Sequence, residues 1–216
     1  NENYEEVFVV EAEKVTHFNE GMAAIANDDN KWGFINKEGK EVIDTKYDFV
    51  SNGFHDGYAI VGNNTDDEKE FFIIDKSGNV KVDLGDKYQN VISLSSGLLK
   101  VIDDGELGFI DLEGNIVIKP SDEWTSVTDF YNGFASFQED NEWGLVNSQG
   151  EEILKANYSN KLLVVNDKIW VKDDEDWGVI DMEGNDIIKP QFDGYAQPYP
   201  FMCATTIVQD GEDYLF

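Results

Sequence analysis

The sequence predicts an all-β chain built from tandem repeats of about 36 residues, each folded around a short hairpin. Three observations carry this. The dipeptide Trp-Gly recurs at Trp32-Gly33, Trp143-Gly144 and Trp177-Gly178. An apolar pair, an Asn or Asp, two variable residues and a Gly follow it each time, as in Trp32-Gly33-Phe34-Ile35-Asn36-Lys37-Glu38-Gly39. Two degenerate copies, starting at Phe71 and Leu107, keep the spacing, and a sixth copy begins at Tyr214. A fixed period of this size is the signature of units that bury their apolar faces on one another.

Within each block the Asx-x-x-Gly segment suits a type I turn closed by a left-handed Gly. The pairs are Asn36/Gly39, Asp75/Gly78, Asp111/Gly114, Asn147/Gly150 and Asp181/Gly184. The Asx side chain can bond the backbone inside the turn, and Gly takes positive φ without steric cost. A short apolar strand follows: Val42-Ile43, Val80 and Val82, Ile116 to Ile118, Ile153-Leu154, Ile187-Ile188. About ten residues upstream of each block lies a period-two alternation, the strand pattern. It runs through Gly21, Ala23 and Ile25; Gly57, Ala59 and Val61; Gly97, Leu99 and Val101; Gly133, Ala135 and Phe137; and, drifted, Asp167, Ile169 and Val171. The sixth copy has Ala204, Thr206 and Val208. Its small residues are expected to admit a neighbouring backbone. The Trp and Gly of each block are expected to pack on a neighbouring repeat. Aromatics after each turn, Tyr47, Tyr88, Trp124, Tyr158 and Phe192, are read as anchors between repeats.

These elements give about three strands per repeat and a single repeat domain over residues 1–216. Open stacking into a twisted β array is the expected form, because about 36 residues is short for a four-stranded blade. The alternative is a closed, propeller-like ring. Val7-Phe8-Val9-Val10 resembles the strand after a turn and Asp213 to Phe216 begins a repeat, so the two ends hold complementary parts.

The Trp-Gly-apolar-Ile-Asx-x-x-Gly block, with Ile118-Lys119-Pro120 and then Tyr-Asp or Phe-Asp, resembles the WG repeat of bacterial proteins. Phe18-Gly21-Ala23 and Phe130-Gly133-Ala135 resemble the Phe-x-x-Gly-x-Ala part of that repeat. The resemblance covers nearly the whole chain and implies a repeat scaffold from a bacterium. It carries over no catalytic residue, because the motif contains none.

Composition limits the partners. The chain has 45 Asp and Glu against 16 basic residues, all of them Lys, and a net charge of −29. This argues against nucleic acid and anionic membranes. No Arg is present to clamp phosphate or carboxylate in bidentate fashion. No apolar run is long enough to span a bilayer. Cys203 has no second cysteine to pair with.

Acidic clusters precede the blocks at Asp28-Asp29, Asp66-Asp67-Glu68, Asp103-Asp104, Glu139-Asp140 and Asp173 to Asp176. They could offer oxygen ligands to calcium, but none has an ordered calcium loop, and solvated turns explain them better. His17 and His55 sit in turn contexts. No phosphate loop, nucleophile elbow or Cys/His metal spacing is present. On the alternating strand, the face opposite the small residues carries Tyr58, Phe134 and Trp170. If open, it would be an apolar strip for a ligand; the competing expectation is that the next repeat covers it. The function expected is a non-catalytic scaffold that binds a protein partner, cationic in character, on an extended acidic surface. It is expected to be secreted or displayed at the cell surface, with a cytoplasmic role as the alternative. A glycan-binding module is the second reading, and a glycan hydrolase the third.

Overall fold

A computed structural model describes residues 8–66, 68–173, 176–193, 208–210 and 213–215. The sequence readings at Val7, Asp67, Asp174, Glu175, Cys203, Ala204, Thr206 and Phe216 lie outside these residues. Among the described residues there are strands and turns but no helix, and no sheet closes on itself. The chain divides into two compact units, 1–120 and 121–216.

The first unit holds three four-stranded antiparallel sheets. One comprises β1 (Lys14–Val15), β2 (Met22–Ala26), β3 (Trp32–Asn36) and β4 (Glu41–Tyr47). The next comprises β5 (Phe49–His55), β6 (Tyr58–Asn64), β7 (Lys69–Asp75) and β8 (Val80–Gly85). The third comprises β9 (Asn90–Ser95), β10 (Leu98–Asp103), β11 (Glu106–Asp111) and β12 (Ile116–Ser121). The second unit has two more: β13 (Ser126–Val127), β14 (Phe134–Glu139), β15 (Glu142–Asn147) and β16 (Glu152–Tyr158), then β17 (Val164–Val165), β18 (Lys168–Asp173), β19 (Asp176–Ile180) and β20 (Asp186–Asp193). A two-stranded pair, β21 (Val208–Asp210) and β22 (Asp213–Leu215), follows. Each repeat therefore has four strands, not the three read from sequence. The extra one is the first, which is only two residues long in three of the five sheets and has too little pattern to read.

The first and second strands meet at a two-residue turn with both central residues left-handed. Asp56 and Gly57 have φ of 52° and 84°, and Asn132 and Gly133 have 51° and 83°. This is the type I′ geometry whose twist matches a hairpin. The drifted fifth copy keeps it with Asn166 and Asp167, at 51° and 56°, residues that tolerate this region. The alternation glycines are thus turn residues: a Cβ on Gly57, Gly97 or Gly133 would meet nothing within 4 Å. The expectation that they admit another backbone is corrected.

The close approach falls instead on the Gly of Trp-Gly. Strand pairing slips by a bulge at Gly33, Gly144 and Gly178. A Cβ on Gly178 would lie 2.7 Å from the Ile188 carbonyl oxygen and the Pro190 nitrogen. At Gly33 it would run into the Ile43 carbonyl, with Thr45 N at 2.7 Å. The fourth strand of the same sheet, not a neighbouring repeat, dictates this glycine. The Trp stands directly across from the later aromatic, in the pairs Trp32 with Tyr47, Trp143 with Tyr158 and Trp177 with Phe192. Cross-strand pairs of this kind stabilise a sheet by roughly 0.2–1 kcal/mol each.

The cores lie between consecutive sheets. Met22, Ala24, Phe34, Ile43 and Tyr47 of the first pack on Phe54, Ala59, Val61 and Ile74 of the second. Ile60, Phe71, Ile73 and Val82 of the second pack on Val91, Leu94, Leu99 and Ile110 of the third, with Tyr88 among them. In the second unit, Leu145 and Leu154 pack on Val164, Ile169, Val171 and Ile180. The second strand is therefore buried on both faces, and β2 is buried at all five positions.

Candidate functional site

The turns at the two ends of each sheet use polar residues differently. At one end, the Asx-x-x-Gly turn closes on itself. In all five copies the Asx side-chain oxygen accepts backbone N–H groups two and four residues on, at 2.8 to 3.1 Å. The Asp75, Asp111 and Asp181 carboxyls are held below the usual carboxylate range. The side-chain amides of Asn79, Asn115 and Asn185 are the leading cause, and the backbone N–H groups add to it. The turn between first and second strands lies at the same end and ties one repeat to the next. Glu20 accepts the Gly57 N–H at 3.0 Å and pairs with Lys76 at 3.0 Å, and Asp56 accepts the Gly97 N–H at 3.1 Å. Burial works to raise the Glu20 pKa, but Lys76 and the Gly57 and Asp56 N–H groups outweigh it and hold it low. An acid placed before a turn glycine was the sequence signal for this tie.

The opposite end carries the turn between second and third strands. Here acids face acids. Asp103 stands across from Glu106, Glu139 from Glu142 and Asp173 from Asp176. Like charges directly opposite destabilise a sheet. Asp103, Glu106, Glu139 and Glu142 are in no ion pair among the described residues. The sequence reading found Asp103-Asp104 and Glu139-Asp140 but missed Glu106 and Glu142; the signal was an acid on both sides of a two-residue turn.

Two grooves open at this end, one in each unit. A groove of about 540 Å³ is lined by Asn64, Thr65, Asp66, Glu68 and Lys69 around the β6–β7 turn, Asp86 to Gln89, and Asp103 and Asp104 of the next repeat. Gln89 fixes the far turn by accepting the Gly105 N–H at 3.1 Å. A second groove of about 380 Å³ lies against Glu139, Asp140, Glu142 and Glu152, with Lys155 as its basic residue. Lys69 and Lys87 line the first groove, and Lys87 lies 4.9 Å over Tyr88; away from it Lys161 lies 5.1 Å over Trp143 and Lys172 5.9 Å over Trp177. Among the described residues no three His, Cys, Asp or Glu side chains converge as a metal site would require.

Of the aromatic strip read from sequence, Trp170 is buried while Tyr58 and Phe134 are half-buried. Tyr58 packs under the core of the second and third sheets, and Phe134 under that of the fourth and fifth. Trp170 is only 1% exposed and sits with Trp177 and Val179. The second strand is a central strand packed on both faces, which buries Trp170 and leaves Tyr58 and Phe134 partly exposed. His17 and His55 are exposed, and His55 lies 3.2 Å from the Asn19 amide.

The model of the WG containing repeat matches residues 32–64, 108–143, 143–175 and 177–200, more than half of the chain. The chain belongs to the WG repeat family. Three of the four matched segments begin at Trp32, Trp143 and Trp177, the Trp of each bulge and its cross-strand aromatic pair in this chain. A comparison with curated proteins finds no match. Among solved structures, the chain is similar to BamB from Moraxella catarrhalis at 14% identity, covering 79% of this chain and 56% of that one, with a TM-score of 0.43. It is similar to Hsv2 from Kluyveromyces lactis at 11% identity, covering 83% and 62%, with a TM-score of 0.49. The chain thus spans less than two thirds of either protein.

Proposed function

We propose that this WG-repeat scaffold is a non-catalytic binding module in which the acidic turns of each unit receive a cationic segment of a protein partner. The observation that carries the reading is the acid-on-acid pairing at Asp103/Glu106 and Glu139/Glu142. It costs the fold stability, and no lysine of the described residues pairs with these four groups. A Lys-rich or Arg-rich segment supplies the missing charge. Both grooves border these turns and are open to solvent, which suits a chain segment rather than a buried small molecule. A protein partner is preferred to a glycan because, of the rings that would stack on sugars, Trp170 is buried and Tyr58 and Phe134 are half-buried against the core. Secretion or surface display forms part of the proposal, and labelling of intact host cells with an antibody to the chain checks it.

The test is a variant with Asp103→Asn, Glu106→Gln, Glu139→Gln and Glu142→Gln, compared with wild type for binding to a lysine-rich peptide. Wild type is expected to bind with an affinity that falls steeply with salt, and the variant to bind at least tenfold more weakly while keeping its fold. Equal binding by both proteins would overturn the reading. So would turnover of a glycan or peptide that is lost on changing one of these acids.

A further inference from the structure

We infer that the junction between the first and second sheets is an acid-sensitive clasp, which loosens as pH falls while the junction between the fourth and fifth sheets keeps its hold. A carboxylate ties the first junction at each end, and each carboxylate has two partners. At one end Glu20, on the turn between β1 and β2, accepts the Gly57 N–H at 3.0 Å and pairs with Lys76 of the turn after β7 at 3.0 Å. At the other end Asp48, in the link from β4 to β5, accepts the Asn64 N–H at 3.0 Å and pairs with Lys31 of the β2–β3 turn. The ties between the fourth and fifth sheets are made by neutral groups. Asn132, in the place of Glu20, donates its amide to the Val164 carbonyl at 3.4 Å, and Ser136 exchanges hydrogen bonds with Leu162 at 2.6 and 2.7 Å. Ser159, in the place of Asp48, donates to the Lys172 carbonyl at 3.0 Å, and Asn160 accepts the Lys172 N–H at 2.8 Å. The second and third sheets are intermediate: Asp56 accepts the Gly97 N–H, but Gln89 stands where Asp48 stands and accepts that of Gly105.

Both partners of each carboxylate are donors, so they favour its charged form. Burial works to raise Glu20, but Lys76 and the Gly57 N–H outweigh it; Lys31 and then the Asn64 N–H hold Asp48 low. A group whose folded pKa lies below its unfolded value contributes in full above the unfolded value, about 4.3 for Glu and 3.9 for Asp. That contribution is lost as pH falls through the folded value. The other charged groups beside Glu20 are Lys37, His55 and Asp56, on the neighbouring turns. Those beside Asp48 are Asp66, Glu68 and Lys69, carried by the β6–β7 turn that presents Asn64. Lys31 and Lys76 stay charged throughout this range, so protonation of the acids removes the charge each lysine pairs with. Between the two ties lies the core of Met22, Phe34 and Ile43 against Phe54, Ala59 and Val61. Loosening both ends lowers the cost of a local opening there.

Hydrogen exchange followed amide by amide by NMR tests this. In wild type the protection of Gly57 and Asn64 is expected to fall roughly tenfold between pH 7 and about pH 3, and that of Leu162 and Lys172 by less than about twofold. In Glu20→Gln with Asp48→Asn, neutral side chains are left to accept the same N–H groups, as Gln89 and Asn160 do elsewhere. The protection of Gly57 and Asn64 should then become as flat with pH as that of Leu162 and Lys172. Each single substitution should flatten its own amide, Gly57 for Glu20→Gln and Asn64 for Asp48→Asn, and so decides the matter where the double variant does not fold. A loss in wild type at Leu162 and Lys172 as large as at Gly57 and Asn64 would overturn the inference, as would no loss at Gly57 and Asn64. A folded variant that keeps the wild-type acid response at these two amides would overturn it too.

Discussion

The turn after β7 and the turn before it sit at opposite ends of the same strand, and they treat carboxylates in opposite ways. Asp75 accepts two backbone N–H groups and the Asn79 amide, so its charge holds the turn together. Asp66 and Glu68, at the other end, line a groove, and in the next repeat Asp103 and Glu106 face one another across the strands. A count of 45 acids in the composition hides this division. Part of the negative charge is structural and satisfied within a turn. Another part is set against itself at one end of the repeats, where only a partner or solvent can compensate it.

The largest expected effect falls on the bulge that joins the two ends. Gly33→Ala places a methyl group against the backbone of β4 and should destabilise the first unit by about 2–4 kcal/mol. Gly57→Ala meets no neighbour and is strained only by its φ of 84°, so it should cost about 1–2 kcal/mol. Denaturant unfolding of both variants checks the order; a cost at Gly57 equal to that at Gly33 would mean that the bulge does not dictate the Trp-Gly pair.

Acid should weaken the structural end. Asp75, Asp111 and Asp181 have folded pKa values below their unfolded values, so their contribution is full above the unfolded value, about 3.9, and is lost as pH falls through the folded ones. Asn36 and Asn147 make the same turn without charge. Replacing the three Asp by Asn should therefore leave the thermal midpoint near wild type at pH 7 and reduce its fall as pH drops below about 4. A fall as steep as in wild type would place the acid sensitivity elsewhere.

At the first groove, the Tyr88 hydroxyl is buried with no hydrogen-bond partner among the described residues. Tyr88→Phe should raise stability by up to about 1 kcal/mol, read by urea titration. Relieving one acid pair with Asp103→Asn and Glu106→Gln should raise it by about 0.5 kcal/mol, and the gain should shrink at high salt. A clear loss of stability in that double variant would show that these acids serve the fold after all.

The repeat, its Asx turn and the alternating second strand were legible in sequence because each is local and recurs at fixed offsets. Asn36, Asp75, Asp111, Asn147 and Asp181 all fall where the pattern put them. The first strand was not legible, because Ser126–Val127 pairs with β14 through a register that only the turn at Asn132-Gly133 sets. The role of Gly33 was misassigned because its partner, Ile43, meets it across a bulge that no spacing rule reveals. Of the site, the acidic clusters were visible but their opposition was not. Glu106 and Glu142 gain meaning only when the two-residue turns at Asp104-Gly105 and Asp140-Asn141 bring them opposite Asp103 and Glu139. Trp170 stood out by size, and burial on both faces of a central strand removed it from the surface.

The claim that the acidic turn end is the binding face is tested most directly by backbone amide NMR shifts on titration with a lysine-rich peptide. Shifts confined to residues 64–69, 86–89, 103–106 and 139–142, and weakened by salt, are the predicted result. Shifts centred on the Asx turns at 36–40, 75–79 and 111–115, or spread evenly over both ends of the sheets, would contradict it.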